Sequence, residues 1–136
     1  MNTNTHPLAA FCAAIVLGFT AGAYAYPDPL PVKQEGNVTY ITGGIGEEER
    51  DALQQARSDY NLHVMNSYRD GSFSGDTHIT IFDRAGKQVL TTTAGPLFYA
   101  NLPAGKYQIV ANSDRAEQKK TFTAAGSGQS NLHFVW

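Results

Sequence analysis

Residues 97–112 read LFYANLPAGKYQIVAN, and this stretch decides the fold. Two runs of alternating apolar and polar side chains flank Leu102-Pro103-Ala104-Gly105-Lys106-Tyr107, where Pro103 starts a turn and Gly105 ends it. Alternation with a period of two is the mark of a strand with one buried face. If Leu102 and Tyr107 point inward, Phe98, Ala100, Ile109 and Ala111 do so as well, and Leu97, Tyr99 and Val110 face outward.

The same rhythm extends in both directions. Upstream, Leu62–Tyr68, His78–Asp83 and Lys87–Thr92 are strand candidates; downstream, Glu117–Thr123 and Leu132–Trp136 follow. Turn residues separate them at Arg69-Asp70-Gly71, Asp83-Arg84-Ala85-Gly86, Ala94-Gly95-Pro96 and Ser113-Asp114-Arg115. Short strands at such close spacing, with no helix between them, predict an antiparallel Greek-key β-sandwich of about seven strands. Before them, Asn37–Thr42 (NVTYIT) is β-branched and aromatic, a first strand. One helix is expected, over about 47–58. Gly46 precedes it, Glu47, Glu48 and Glu49 suit the positive end of its dipole, and Ala52, Leu53, Ala56 and Tyr60 form a narrow apolar stripe.

The amino-terminal part has a different composition. Leu8–Phe19 is apolar but too short to span a bilayer. Ala23-Tyr24-Ala25 then fits a small-x-small cleavage site, so residues 1–25 are expected to be a signal peptide with Tyr26 as the new terminus. Pro27, Pro29 and Pro31 make residues 26–36 an extended, Pro-rich tether, leaving 37–136 as a single domain. The expected location is the periplasm or the exterior, with no membrane span after cleavage. The single cysteine, Cys12, lies in the leader, so the processed protein would hold no disulfide and no thiol chemistry. A net charge of −2 with 16% charged residues gives no basic field for nucleic acid.

Thr77 to Thr123 resembles the carboxypeptidase regulatory-like, or transthyretin-like, β-sandwich. The matching motifs are Asp83-Arg84-Ala85-Gly86 between two strands and Asn101-Leu102-Pro103-Ala104-Gly105-Lys106-Tyr107 in the hairpin. Upstream, Tyr40–Glu47 and Tyr60-Asn61-Leu62 look like small exported proteobacterial proteins of this type. The resemblance implies a sandwich fold and export, often as an accessory module, and carries no catalytic residues. The transthyretin-like hydrolases end in Tyr-Arg-Gly-Ser. This chain ends in Leu132-His133-Phe134-Val135-Trp136, and Tyr68-Arg69-Asp70-Gly71-Ser72 is a mid-chain echo in a turn.

Several motifs invite chemistry. Gly43-Gly44-Ile45-Gly46 before a helix has the look of a phosphate cradle, but three glutamates follow and no Lys-Ser/Thr does, so a structural turn is expected. Gly71-Ser72-Phe73-Ser74-Gly75 is not a nucleophile elbow, because Phe73 holds the central place. It reads as a loop with an aromatic tip. His63 and Met65, two apart on a strand, share a face and offer an imidazole and a thioether to a soft ion such as copper, with His78 as a third ligand. His133 lies near the end of the chain.

The expected function is that of a non-enzymatic module binding an envelope or secreted protein, a peptide or a glycan, with no cofactor and no catalytic or metal site. An exposed patch of Phe82, Tyr99 and Leu97 would carry recognition, with Phe73 and the loops at Arg69–Gly75 and Ala94–Pro96. That patch requires the helix to cover another face. Copper binding through His63 and Met65 is the alternative, and a transthyretin-like hydrolase the second.

Overall fold

A computed structural model describes residues 30–136; the expected signal peptide and the first residues of the tether lie outside them. The described residues form two packed sheets and one helix. The chain runs β1 (Lys33–Glu35), β2 (Val38–Gly43), α1 (Glu47–Ala56), one 3-10 turn (Arg57–Asp59), β3 (Leu62–Ser67), β4 (Thr77–Asp83), β5 (Gln88–Ala94), β6 (Leu97–Asn101), β7 (Gly105–Asn112), β8 (Glu117–Ala124) and β9 (Ser130–Val135). One sheet has the order β1-β2-β6-β3-β9 and the other β5-β4-β7-β8. The fold is therefore a β-sandwich with one helix, as the alternation predicts. β6 leaves for the opposite sheet and β7 returns beside β4, which is a Greek-key crossing.

Several details differ from expectation. Among the described residues the strands number nine, because β1 forms inside the segment read as a tether and pairs with β2 through Lys33↔Tyr40 and Glu35↔Val38. The helix proper ends at Ala56, and a 3-10 turn completes it. The sheets are also not purely antiparallel: β9 runs parallel to β3, from Leu62↔Ser130 to Ser67↔Val135. No hairpin joins this pair, so nothing forces it antiparallel. β9 arrives by crossing from β8 in the opposite sheet, and that crossing sets its direction.

The core follows from the pleat. Leu62, Val64, Ile79, Ile81, Leu90, Phe98, Ile109 and Phe134 meet between the sheets, all essentially inaccessible. The predicted inward set of Phe98, Ala100, Leu102, Tyr107, Ile109 and Ala111 is buried there. Side chains that fully leave water stabilise by about 1.5–3 kcal/mol each, so this layer dominates the favourable side of folding.

The turns behave as their residues require. Asp83 Oδ1 accepts from the Ala85 and Lys87 amides, both at 2.9 Å, and Gly86 takes φ +84°, where a side chain would be strained. The Tyr107 hydroxyl donates to the Pro103 carbonyl at 2.6 Å and braces the Leu102–Tyr107 turn, which is not the expected hairpin: β6 and β7 belong to different sheets, and the turn carries the chain across the sandwich. Asn61 grips the same turn from β3's start, accepting from Leu102 N and donating to Leu102 O.

The two seams between the sheets are closed by side chains. At one, Glu35 Oε2 on β1 accepts from Thr91 N on the edge strand β5 at 3.0 Å. At the other, Gln118 and Lys120 on β8 donate to the β9 carbonyls of Val135 and His133, at 2.7 and 2.9 Å. Backbone groups that would otherwise template a foreign strand are thereby engaged.

Candidate binding faces and the pocket beside the helix

Each sheet has an outer face, and only one of them carries the helix. On the five-stranded sheet, strand register lays the outward side chains in rows. Asn131, His63, Tyr99 and Ile41 form one row; His133, Met65 and Leu97 form the next. Val135, Ser67 and Phe73 form a third, since Phe73 makes a bridge with Ser67 beyond the end of β6. α1 and the residues after it cover the first two rows at one end. Leu53, Tyr60, Ile41, Leu97 and Tyr99 make a second apolar cluster, with Ala56 and Leu30 against it.

This placement corrects the expected patch. Leu97 and Tyr99 face outward, but they are 8% and 4% exposed because the helix stripe sits on them. Phe82 faces outward from the other sheet, so the three never meet. Phe73 is exposed as expected. It lies in a loop shaped by Asp70, whose Oδ1 accepts from Ser72 N at 2.9 Å and from Ser72 Oγ at 2.6 Å. Those two bonds, with the Arg115 charge, hold the Asp70 carboxyl below the usual range.

What remains uncovered on the helix-bearing face is apolar. Among the described residues the large hydrophobic side chains left exposed are Val32, Ile45, Met65, Phe73 and Val135, and four of these belong to one region. Met65, Phe73 and Val135 stand in adjacent rows. Ile45, 69% exposed in the turn before α1, reaches toward Gly75 at the end of the Phe73 loop. Arg50 ties the region together. Its guanidinium lies 5.4 Å from the Phe73 ring centre and donates to the carbonyls of Gly44 and Ile45. The Gly43–Gly46 segment is thus a turn braced by Arg50, as its sequence suggests, and Glu47, Glu48 and Glu49 occupy the helix start.

Beside the patch, between the end of α1 and β9, is a pocket of about 240 Å³ lined by Arg57, His63, Met65, Tyr99, Asn131 and His133, among others. His63 is its fixed point, 5% exposed. Its Nε2 lies 2.8 Å from the Arg57 carbonyl and therefore donates; its Nδ1 then accepts from Arg57 Nε at 3.2 Å, with Asn131 Oδ1, another acceptor, 3.1 Å away and drawn in by the same guanidinium. Asn131 Oδ1 accepts from Arg57 Nη2 at 2.9 Å, and the Tyr99 ring centre is 4.7 Å from that of His63. Burial raises the Tyr99 phenol above its ordinary pKa, with the nearby Arg57 charge opposing.

The expected copper set does not assemble. His63 and Met65 share a face, but both His63 ring nitrogens are already in use. His78 is on β4 of the opposite sheet, where its Nε2 lies 3.0 Å from Thr91 Oγ1. Among the described residues no three His, Cys, Asp or Glu side chains converge. The imidazole that does stand next to Met65 is His133, their Cα atoms paired in register. Its Nε2 is 2.6 Å from Ser67 Oγ. A hydroxyl against an imidazole is half of a nucleophilic pair; among the described residues no carboxylate lies within ion-pair distance of that ring to orient it.

The other outer face carries no helix and is open. Thr80, Phe82, Gln108, Val110, Asn112 and Thr121 line a shallow cleft of about 1000 Å³ across the four-stranded sheet. Phe82 sits at a register shift in the β4–β5 ladder and is half-buried. Ile45, Met65, Arg57, His133 and Val135 are absent from the expected recognition residues. Alternation alone marks Met65, His133 and Val135 as outward; what it lacks is the β3–β9 pairing that unites them. No protein-family model and no curated protein matches the chain.

Proposed function

We propose that this protein is an exported, non-enzymatic binding module that recognises a protein or peptide partner through the helix-bearing outer face. The observation that carries the reading is the gathering of Ile45, Met65, Phe73 and Val135, four of the five large hydrophobic side chains exposed among the described residues, on one side of the sandwich. A contiguous apolar patch rimmed by cations is how soluble domains mark a docking site. Arg50 and Arg57 supply the rim. The structure's Asp83–Gly86 and Asn101–Tyr107 turns support a carboxypeptidase regulatory-like or transthyretin-like ancestry. Export rests on the leader at residues 1–25. Among the described residues no helix is long and apolar enough to cross a membrane.

The open cleft around Phe82 favours a second reading, in which a polysaccharide lies across the four-stranded sheet against one aromatic ring and a field of hydroxyl and amide groups. Photo-crosslinking separates the two. A photoreactive amino acid is placed at position 65 or at position 121 and irradiated in the producing cell. The first reading predicts a discrete protein adduct from position 65 and none from 121. An adduct from 121 alone, or a glycan adduct there, would replace it with the second.

A further inference from the structure

We infer that the pocket between the end of α1 and β9 is a carboxylate-binding site, whose ligand joins a free carboxylate to a short apolar arm. The inference deepens the proposed docking on this face: it specifies the chemistry of the group that the pocket receives. The charge comes from Arg57. Two of the five N–H donors of its guanidinium are engaged, Nε–H by His63 and one Nη2–H by Asn131. These bonds fix the plane of the fork and leave the Nη1 edge to meet two oxygens side by side. Among the described residues Arg57 has no carboxylate partner; the ion pair found there is Lys119–Glu117 on β8. His63 cannot drift away, being 5% exposed and held through both nitrogens.

The arm follows from the rest of the lining. Met65, Leu97 and Tyr99 give the pocket an apolar floor, and its volume of about 240 Å³ suits a side chain of leucine or phenylalanine size rather than a bare anion. A cation is disfavoured by the guanidinium itself. His133 stands at the outer lip with Nε2 against Ser67 Oγ, which turns the other ring nitrogen free of protein partners. Two sources share this chemistry: the carboxy-terminus of a peptide ending in an apolar residue, and a free short-chain acid.

Met65 is one of two methionines in the chain, and Met1 lies in the leader, so the Met65 methyl group is a clean reporter. The protein, purified as the cell releases it and labelled at methionine methyl carbons, is titrated with N-acetyl-leucine, N-acetylleucinamide and hexanoate. Saturable movement of the Met65 signal by an acid is expected, with the amide weaker by about tenfold or more, as loss of a charge-assisted bidentate contact requires. Arg57→Gln should abolish the difference between acid and amide, and Arg57→Lys should keep part of it. Tighter binding of N-acetyl-leucine than of hexanoate identifies a peptide terminus, and the reverse a free acid. Equal response to acid and amide, or no response to either acid at millimolar concentration, overturns the inference. That outcome leaves the patch intact if the position-65 adduct still forms. If Phe73→Ser instead abolishes the adduct while N-acetyl-leucine still binds, both readings stand.

Discussion

The two outer faces of this sandwich are products of one rule, yet they differ in kind. Strand alternation sends every second residue outward from both sheets. On the four-stranded sheet it delivers mostly polar side chains, Thr80, Gln108, Asn112 and Thr121 with Phe82 and Val110 among them, and no helix covers them. On the five-stranded sheet it delivers Ile41, Leu97, Tyr99 and Met65, which need cover. The helix covers the first three and stops short of the last. The patch around Met65 is therefore the part of an apolar face that the helix does not reach, and the proposed recognition rests on this unburied surface.

Substitutions can sharpen this contrast. Leu53 is fully buried between α1 and the sheet, so Leu53→Ala should lose about 2–5 kcal/mol of stability in urea denaturation. Phe82→Ala, on the uncovered face, should lose about half that or less, because Phe82 already meets water in the native state. Equal losses would mean that the helix is not the principal cover of its face.

A second probe is alkaline pH. Burial raises the Tyr60 and Tyr99 phenols under the helix, and Asp59 pushes Tyr60 further. Burial likewise raises Tyr107, with Asp83 adding to it. For groups with raised pKa the unfolded chain gives up its protons first. Stability should therefore hold up to about pH 10 and fall as pH climbs through the raised values. The urea midpoint followed across that window checks it, and Tyr99→Phe should shrink the fall. A midpoint that stays level contradicts the burial of these rings.

The smallest stability effect is predicted where the functional effect is largest. Phe73→Ser and Met65→Ser replace exposed side chains, so the melting behaviour should change by no more than about 0.5 kcal/mol. Partner binding should nevertheless weaken sharply.

The sequence makes the local parts of this account legible and leaves the non-local ones dark. The Asp83–Gly86 turn, the Asn101–Tyr107 turn and the stripe of Leu53, Ala56 and Tyr60 are each written within a dozen residues, where turn chemistry and periodicity act; that the second turn crosses between the sheets instead of closing a hairpin is not. The inward set Phe98, Ala100, Ile109 and Ala111 follows from strand alternation on either side of that turn, although the two strands it joins belong to different sheets. Which sheet the helix covers is not local: Leu97 and Tyr99 read as outward in either case, and they prove buried because α1 packs on β2 and β6 rather than on β4 and β7. The pairing of β9 with β3 joins residues far apart in the chain through a parallel ladder that no turn announces. Without it His133 and Val135 are isolated letters near the end of the sequence, and His78 looks as close to Met65 as they do. β1 is hidden for another reason. Pro27, Pro29 and Pro31 signal an extended tether, and three residues with little apolar character give no strand rhythm of their own.

The most direct test of the central claim is a comparison of affinities for the partner isolated by crosslinking at position 65. Paired serine substitutions are made on each outer face, Met65 with Phe73 and Phe82 with Val110, and the dissociation constants are measured by calorimetry. The account predicts that the first pair weakens binding by about tenfold or more, as loss of buried apolar anchors does, and that the second leaves it unchanged. Binding lost through Phe82 and Val110 and kept without Met65 and Phe73 would contradict it, and would move the function to the open face.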